Sequence, residues 1–310
     1  MLSHSSKIFL LATAALITAC AETEQAPAVT EEVKQQATEP MAVEVAAQTT
    51  QSLDAILAAG DEKAQARYQF RHPKETLEFI GIKPGMKVIE ALPGGGWYSK
   101  ILLPYLGSAG ELVGVDYDLD MWQYFGGFAT AELIEEKKSW VETWTADAMT
   151  WRDENSATVS AYQFGNQPES LKGTVDAVLF IRALHNVARF EDKGAYLSNA
   201  IKESYDALKP GGIVGVVQHQ AREDRPDEWA NGSNGYLKQS MLIEKFAAQG
   251  FEFVEASEIN ANLKDLANEG DFVWRLPPSL SGSEGDEDKL TAMQAIGESN
   301  RMTLKFRKPS

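Results

Sequence analysis

Lys87-Val-Ile-Glu90-Ala-Leu-Pro93-Gly94-Gly95-Gly96-Trp97-Tyr98-Ser99 is the stretch from which the fold can be read. Lys87 to Ala91 is a short apolar run of strand length, and the Pro-Gly-Gly-Gly turn stops it. A helix follows over Tyr98 to Leu106. A strand that turns through glycines into a helix opens a βαβ unit. In an open α/β sheet, ligands bind beyond the carboxyl ends of the strands. Glycines there let the backbone approach a ligand, and the next helix presents unpaired N–H groups.

The same alternation continues along the chain. Further strands are read at Glu111 to Asp116, Val141 to Thr145, Val175 to Ile181, Ile213 to Gln218, Phe251 to Ser257 and Met302 to Phe306. Helices are expected over about Leu119 to Lys138, Lys193 to Leu208 and Leu237 to Gln249. Upstream, Ser52 starts a helix that stops at Gly60, and Pro73 opens another that reaches Ile80. Apolar strands alternating with helices predict an α/β fold: a doubly wound, Rossmann-like sheet of seven strands, mostly parallel, with helices on both faces. The last strand follows a strand, so an antiparallel hairpin is expected at that end. The stretch between them, Asp265 to Asp288, with Pro277-Pro278 and acidic Gly/Ser residues, reads as an exposed loop.

Twenty residues beyond Gly96, the second strand ends in Asp116, where a carboxylate can accept the hydroxyl hydrogens of a ribose. A glycine turn alone could be only a tight turn; its pairing with Asp116 favours a nucleoside site without separating a dinucleotide from S-adenosylmethionine. Dinucleotide sites use Gly-x-Gly-x-x-Gly, but Ser99 stands at the third position here and Trp97 crowds the loop. Glu90, at the tip of the first strand, would repel a pyrophosphate and could help hold an ammonium group.

With those residues in view, the chain resembles the class I S-adenosylmethionine-dependent methyltransferases. The acid before a glycine turn corresponds to Glu90 with Gly94, Gly95 and Gly96, and the ribose-binding acid to Asp116. The adenine-side Asp after a third strand corresponds to Asp147-Ala148, and Leu208-Lys-Pro-Gly-Gly212 matches the turn before a fifth strand. Pro93-Gly-Gly-Gly-Trp-Tyr98 and the ending Arg301-Met-Thr-Leu-Lys-Phe-Arg-Lys-Pro309 resemble bacterial predicted methyltransferase lipoproteins over about residues 52 to 309. The departure is Leu92-Pro93, where many such enzymes carry another glycine. The resemblance implies S-adenosylmethionine as cofactor, held by Glu90, Pro93, Gly94, Gly95, Gly96, Asp116, Asp147 and Ala148. It transfers no acceptor.

Methyl transfer is an in-line displacement at a sulfonium carbon, so alignment and exclusion of water matter more than any obligatory residue. A general base helps only where the nucleophile still holds its proton. The resemblance puts Arg182-Ala-Leu-His185-Asn186, after the fourth strand, on the sulfonium side. His185 is then a candidate proton acceptor and Asn186 a candidate for orienting the acceptor; the other reading of His185 is a packed core residue. Arg182, His219 and Arg222 are candidates for binding an acidic or polar acceptor. Trp122, Tyr124, Phe125 and Phe128 read as packing groups rather than an acceptor pocket. Histidines are few and scattered, and Cys20 is the only cysteine, so no metal site is expected. Acid outnumbers base 45 to 29, net charge −16, which argues against nucleic acid as the partner. Two rival readings stay open: a non-catalytic ligand-binding module on a methyltransferase fold, and a nicotinamide-dependent oxidoreductase.

The N-terminus reads as an export signal over residues 1 to 19: Lys7, a short apolar run from Ile8, then Ala19-Cys20. Ile17-Thr18-Ala19-Cys20 resembles a bacterial lipobox, which implies a lipidated Cys20. Residues 20 to 51, rich in Ala, Glu, Gln, Thr and Pro, would be a flexible tether, with the folded domain over 52 to 310. The expected place is the periplasmic face of the cell envelope, with the outer membrane favoured and an envelope-associated or small substrate as partner. A Cys20→Ser variant that stayed with membranes would refute the anchor.

Overall fold

A computed structural model describes residues 51 to 310. The expected signal segment, Cys20 and the tether up to residue 50 lie outside the described residues. No helix among the described residues is long and apolar enough to cross a membrane.

The strands are β1 (Lys87–Ala91), β2 (Glu111–Asp116), β3 (Thr158–Gln163), β4 (Val175–Ile181), β5 (Leu208–Ala221), β6 (Leu237–Lys238), β7 (Glu252–Ser257) and β8 (Arg301–Arg307). They form one sheet in the order β3-β2-β1-β4-β5-β8-β7, with the two-residue β6 beside the end of β5. β1 pairs in parallel with both β2 and β4, β2 with β3, and β4 with β5. β8 runs antiparallel between β5 and β7. The Rossmann-like sheet with a reversed last strand is therefore as expected, with β6 added.

Alternate residues of β1 feed opposite cores, as the period of two requires. Val88 packs among Leu77, Ile80, Leu102, Leu106 and Trp144, whereas Ile89 and Ala91 join Val113, Val178, Leu184 and Ile201 on the other face. The helix Ser99–Leu106 buries Leu102, Leu103 and Leu106 completely, each burial contributing roughly 1.5–3 kcal/mol. That fixes the helix behind the glycine turn and presents its N-terminus at the carboxyl edge of the sheet.

The third strand departs from expectation. Val141 to Thr145 lies inside a helix, Trp140–Thr150, and the strand is Thr158–Gln163. Trp140, Trp144, Ala148 and Trp151 recur at helical spacing. Trp140 stacks on Trp144 with ring centroids 5.6 Å apart, and Trp144 meets Trp151 edge-on at 6.3 Å. Trp144 can lie flat on β2 because residue 114 is glycine: a Cβ there would meet its ring at 2.6 Å. The expected helix over Leu119 to Lys138 is broken into 3₁₀ turns at Leu119–Tyr124 and Gly126–Phe128 and a helix Ala131–Lys137 capped by Thr130. Asp265 to Asp288 is the expected exposed loop only in part: Asn268 to Gly270 and Glu284 to Asp288 are exposed, but the rest is anchored. Asp265 and Arg275 are buried and paired at 3.0 Å, Tyr236 donates to Asp265, and Val273 and Leu276 are buried. A helix missed by the sequence reading, Glu287–Ile296, follows.

Candidate functional site

The carboxyl edge of the sheet opens into a cleft of about 410 Å³. Its floor is the β1 turn Leu92 to Gly95, Ile181 at the end of β4 with Arg182, His185 and Asn186 after it, and His219 near the end of β5. Val273, Trp274 and Leu276 to Ser279 form one wall, and Glu298 and Ser299, just before β8, contribute another.

Two neighbouring strands end in the same unusual backbone. Leu92, directly after β1, has φ 54°, and Arg182, directly after β4, has φ 57°. Both lie in the left-handed region, which costs a non-glycine residue about 1–3 kcal/mol and tends to be kept where the geometry is used. Each still extends its ladder: Leu92 N–H donates to Val115 at 2.7 Å and Arg182 N–H to Val217 at 2.6 Å. The strain turns both chains outward and puts their side chains on the cleft floor. Gly94 and Gly95 follow. A Cβ built on either meets no protein atom within 4 Å, so this face of the turn is open. Gly96 is different: φ is 75° and a Cβ would strike the Trp151 ring at 2.3 Å.

The chemistry concentrates on two imidazoles. His185 and His219 are buried with ring centroids 5.1 Å apart. The Gln218 amide donates from Nε2 to the Gly235 carbonyl at 2.9 Å, which leaves its Oε1 facing His185 Nδ1 at 3.3 Å. An amide oxygen only accepts, so His185 carries its proton on Nδ1 and keeps the Nε2 lone pair free. No described residue hydrogen-bonds that Nε2. His219 Nδ1 lies 2.6 Å from Ser299 Oγ. Burial lowers the pKa of His185 to about 4, with Arg182 and Arg189 adding to the effect. Burial also holds His219 well below its ordinary value, helped by His185 and by Arg301, Arg182 and Arg71. Both rings are therefore neutral near pH 7.

Behind them lies a cluster of charge. Glu298 is buried and accepts from Arg67 at 2.5 Å, Arg71 at 3.1 Å and Arg301 at 2.9 Å, with Arg182 at 3.9 Å. Burial works to raise the Glu298 pKa, yet Arg301, Arg71 and Arg182 hold it below the usual carboxylate range.

Of the residues singled out in the sequence, Pro93, Gly94, Gly95, Arg182, His185, Asn186 and His219 meet at the cleft. Glu90 and Asp116 stand at adjacent strand tips but neither lines it. Glu90 is buried and accepts from Ser99 Oγ at 2.6 Å. Burial raises its pKa to about 8, with the Ser99 bond pulling the other way, so at neutral pH it mostly holds a proton. Asp116 is buried too and is paired with Lys137 Nζ at 3.0 Å. Burial raises its pKa and Lys137 opposes the rise. Lys137 also sits over the Trp122 ring at 4.7 Å, and Tyr117, Trp122 and Phe125 pack together beside it. Those aromatics pack as expected, apart from the exposed Phe128.

Asp147 and Ala148 are not at a strand tip. They lie in the helix Trp140–Thr150, with Ala148 buried against the sheet and Asp147 exposed, because the segment follows the helical tryptophan period. The tip of β3 is Gln163-Phe164-Gly165 instead. Arg222 is exposed, pairs with Asp224 and stays away from the cleft, because β5 ends at Ala221 and the chain leaves the sheet there. Arg71, Trp274, Glu298, Ser299 and Arg301 were missed. The available signal was Glu298-Ser-Asn-Arg301, a charged pair three residues apart ahead of an apolar strand.

A parallel sheet whose last strand is reversed and inserted beside β5, with a glycine turn after β1, is the architecture the sequence resemblance implies. The fold is Rossmann-like, mostly parallel with an antiparallel last strand. No protein-family model matches the chain. Short segments are similar to the ribosomal RNA small subunit methyltransferase H of Solidesulfovibrio magneticus, 40% identical over 45 residues, and of Flavobacterium psychrophilum, 42% identical over 50. Each match takes in 14% or 16% of this chain and only 14% or 17% of those curated relatives. Among solved structures, one likeness is to the putative methyltransferase complexed with the Haloferax volcanii Trm112 methyltransferase activator. It is 17% identical, covers 84% of this chain and 98% of that one, and has a TM-score of 0.47. Another is to a SAM-dependent methyltransferase from Aquifex aeolicus, at 16% identity, 68% and 94% coverage and a TM-score of 0.43. At such identities and scores a likeness says nothing of chemistry, which has to come from the residues around the glycine turn. Among the described residues, no group of three or more His, Cys, Asp or Glu is placed to hold a metal ion.

Proposed function

We propose that the protein is an S-adenosylmethionine-dependent methyltransferase whose acceptor binds in the cleft over Arg182, His185, Asn186 and His219. The observation that supports this most directly is the open glycine turn: Gly94 and Gly95 expose bare backbone to the cleft that also holds two neutral imidazoles. The residues suit the amino-acid end of the cofactor, because the turn leaves room for it. The nucleoside end meets Asp116 already paired with Lys137, so the ribose would have to displace that lysine.

When bound, the cofactor would supply an electrophilic methyl group. The chain's own residues do the rest. Trp274, Pro277 and Pro278 form one wall of the cleft and narrow it. His185 offers the Nε2 lone pair to an acceptor that must lose a proton, and Gln218 holds the ring in that tautomer. A base with a pKa as low as about 4 takes up a proton only weakly. It therefore suits an acceptor that ionises easily or that loses its proton after the methyl arrives.

The alternative, a module that binds another ligand on the same fold, draws support from the Lys137–Asp116 pair. Calorimetric titration of the purified protein with S-adenosylmethionine, S-adenosylhomocysteine and NAD separates the readings. The first two are expected to bind and NAD to give no heat. Binding of NAD alone would replace the proposal with an oxidoreductase, and binding of none would favour the module.

A further inference from the structure

Arg182 carries a guanidinium held only by a long ion pair among the described residues. It lines the cleft with its side chain only one-quarter exposed. It donates a hydrogen bond to no acceptor among the described residues, and its nearest carboxylate oxygen, on Glu298, is 3.9 Å away. A guanidinium has five N–H donors, and burying them unpaired is costly.

Its surroundings make matters worse. Arg67, Arg71 and Arg301 already saturate Glu298. Four positive charges thus face one negative charge. Arg71, Arg301 and Glu298 are buried, and the Nε of Arg301 has no hydrogen-bond partner among the described residues. The two histidines are neutral and cannot help. Tyr98 nearby keeps its proton, since burial raises its pKa to about 12. Burial, together with Arg71 and Arg301, lowers the Arg182 pKa to about 9. An acidic chain, net −16, has gathered four of its ten arginines around Glu298 and left that cluster short of negative charge. Buried like charges persist where something of opposite sign completes them.

We infer that the second ligand of this cleft is anionic, and that its carboxylate or phosphate docks on the guanidinium of Arg182 at the edge of the Arg67/Arg71/Arg301–Glu298 cluster. Calling that ligand the methyl acceptor rests on the methyltransferase reading; the anion subsite does not. The cofactor's own carboxylate is the other source of the same chemistry, and competition tells the two apart.

The test is thermal unfolding of the full chain against inorganic phosphate and benzoate at constant ionic strength, with and without saturating S-adenosylhomocysteine. At least one anion should raise the melting temperature saturably. Arg182→Gln should weaken that affinity about 10- to 100-fold, the loss expected for a charge-assisted hydrogen-bond pair. Arg182→Lys should recover part of it, keeping charge without the fork. Circular dichroism checks both folds. If the Gln variant does not fold, the Lys variant and the wild-type competition still decide. S-adenosylhomocysteine should leave the anion effect in place. Equal anion affinity in the variants, or no anion effect in the wild type, overturns the subsite. Loss of the effect under S-adenosylhomocysteine assigns Arg182 to the cofactor's carboxylate and overturns the acceptor. If S-adenosylhomocysteine does not bind while the anion effect still depends on Arg182, the cofactor reading falls and the subsite stands.

Discussion

The tips of β1 and β2 are neighbours in the sheet, yet their acids live under opposite conditions. Glu90 is sealed beneath the glycine turn with only the Ser99 hydroxyl for company and keeps its proton. Asp116 is just as deep but has Lys137 and stays in an ion pair under the Trp122 ring. The half of the edge beside Glu90 is open and lined with unused donors. The half beside Asp116 is closed by its own lysine and aromatics. The lesson is that an acid at a strand tip is not by itself a binding group. What decides its role is the partner the chain brings to it.

The largest effect that could break this contrast concerns Glu90. Its folded pKa, about 8, lies above the ordinary carboxyl value. Between pH 4.5 and 8 the folded chain therefore holds a proton that the unfolded chain has released. Stability is fully present at the acid end of that window and falls as pH rises through it, by about 1.4 kcal/mol per unit. Glu90→Gln, which keeps an oxygen for Ser99, should remove that slope. Urea denaturation of both proteins from pH 5 to 8 measures the difference, and parallel pH profiles would mean that Glu90 is ionised like Asp116.

Next in size is the glycine turn. Gly96→Ala forces a methyl into Trp151 at a positive φ and should cost roughly 2–4 kcal/mol of unfolding free energy. Gly95→Ala meets no protein atom, so it should leave stability within about 1 kcal/mol while weakening S-adenosylhomocysteine binding. Denaturation and calorimetry read the two outcomes. A Gly95 variant with intact affinity would remove the open turn from the ligand site.

The smallest effect is expected at the closed half. Lys137→Ala frees Asp116 for a ribose and should tighten S-adenosylhomocysteine binding by a few-fold, about 1 kcal/mol, since a partly buried pair no longer has to be broken. Weaker binding in that variant would mean that Lys137 itself holds the ligand.

Much of this could be read before any coordinates. β1, β2 and β4 lie where their apolar runs put them, because each is buried on both faces and bounded by glycine, proline or charge. β3 could not be read that way. Thr158-Val-Ser-Ala-Tyr-Gln163 is an edge strand with few apolar residues, while Val141-Glu-Thr-Trp-Thr145 has strand-like composition on a helix set by its tryptophans. That one slip carried Asp147 and Ala148 to the wrong place. The cleft floor was readable because Pro93 to Gly95 and Arg182 to Asn186 each follow a strand directly. The arginine cluster was not, because Arg67 and Arg71 meet Glu298 and Arg301 across more than two hundred residues of chain, and no local pattern records such a meeting.

The reversal of β8 has a consequence for how the molecule is finished. A strand that runs backwards begins where its neighbours end, so the residues just ahead of β8 arrive at the carboxyl edge beside the β1 turn. Glu298, which neutralises part of the cluster around Arg67 and Arg71, is synthesised more than two hundred residues after them, and of the described strands only β8 follows it. Until then the arginines have no counter-ion and His219 has no serine, so a nascent chain can build most of its sheet well before it can assemble a working pocket.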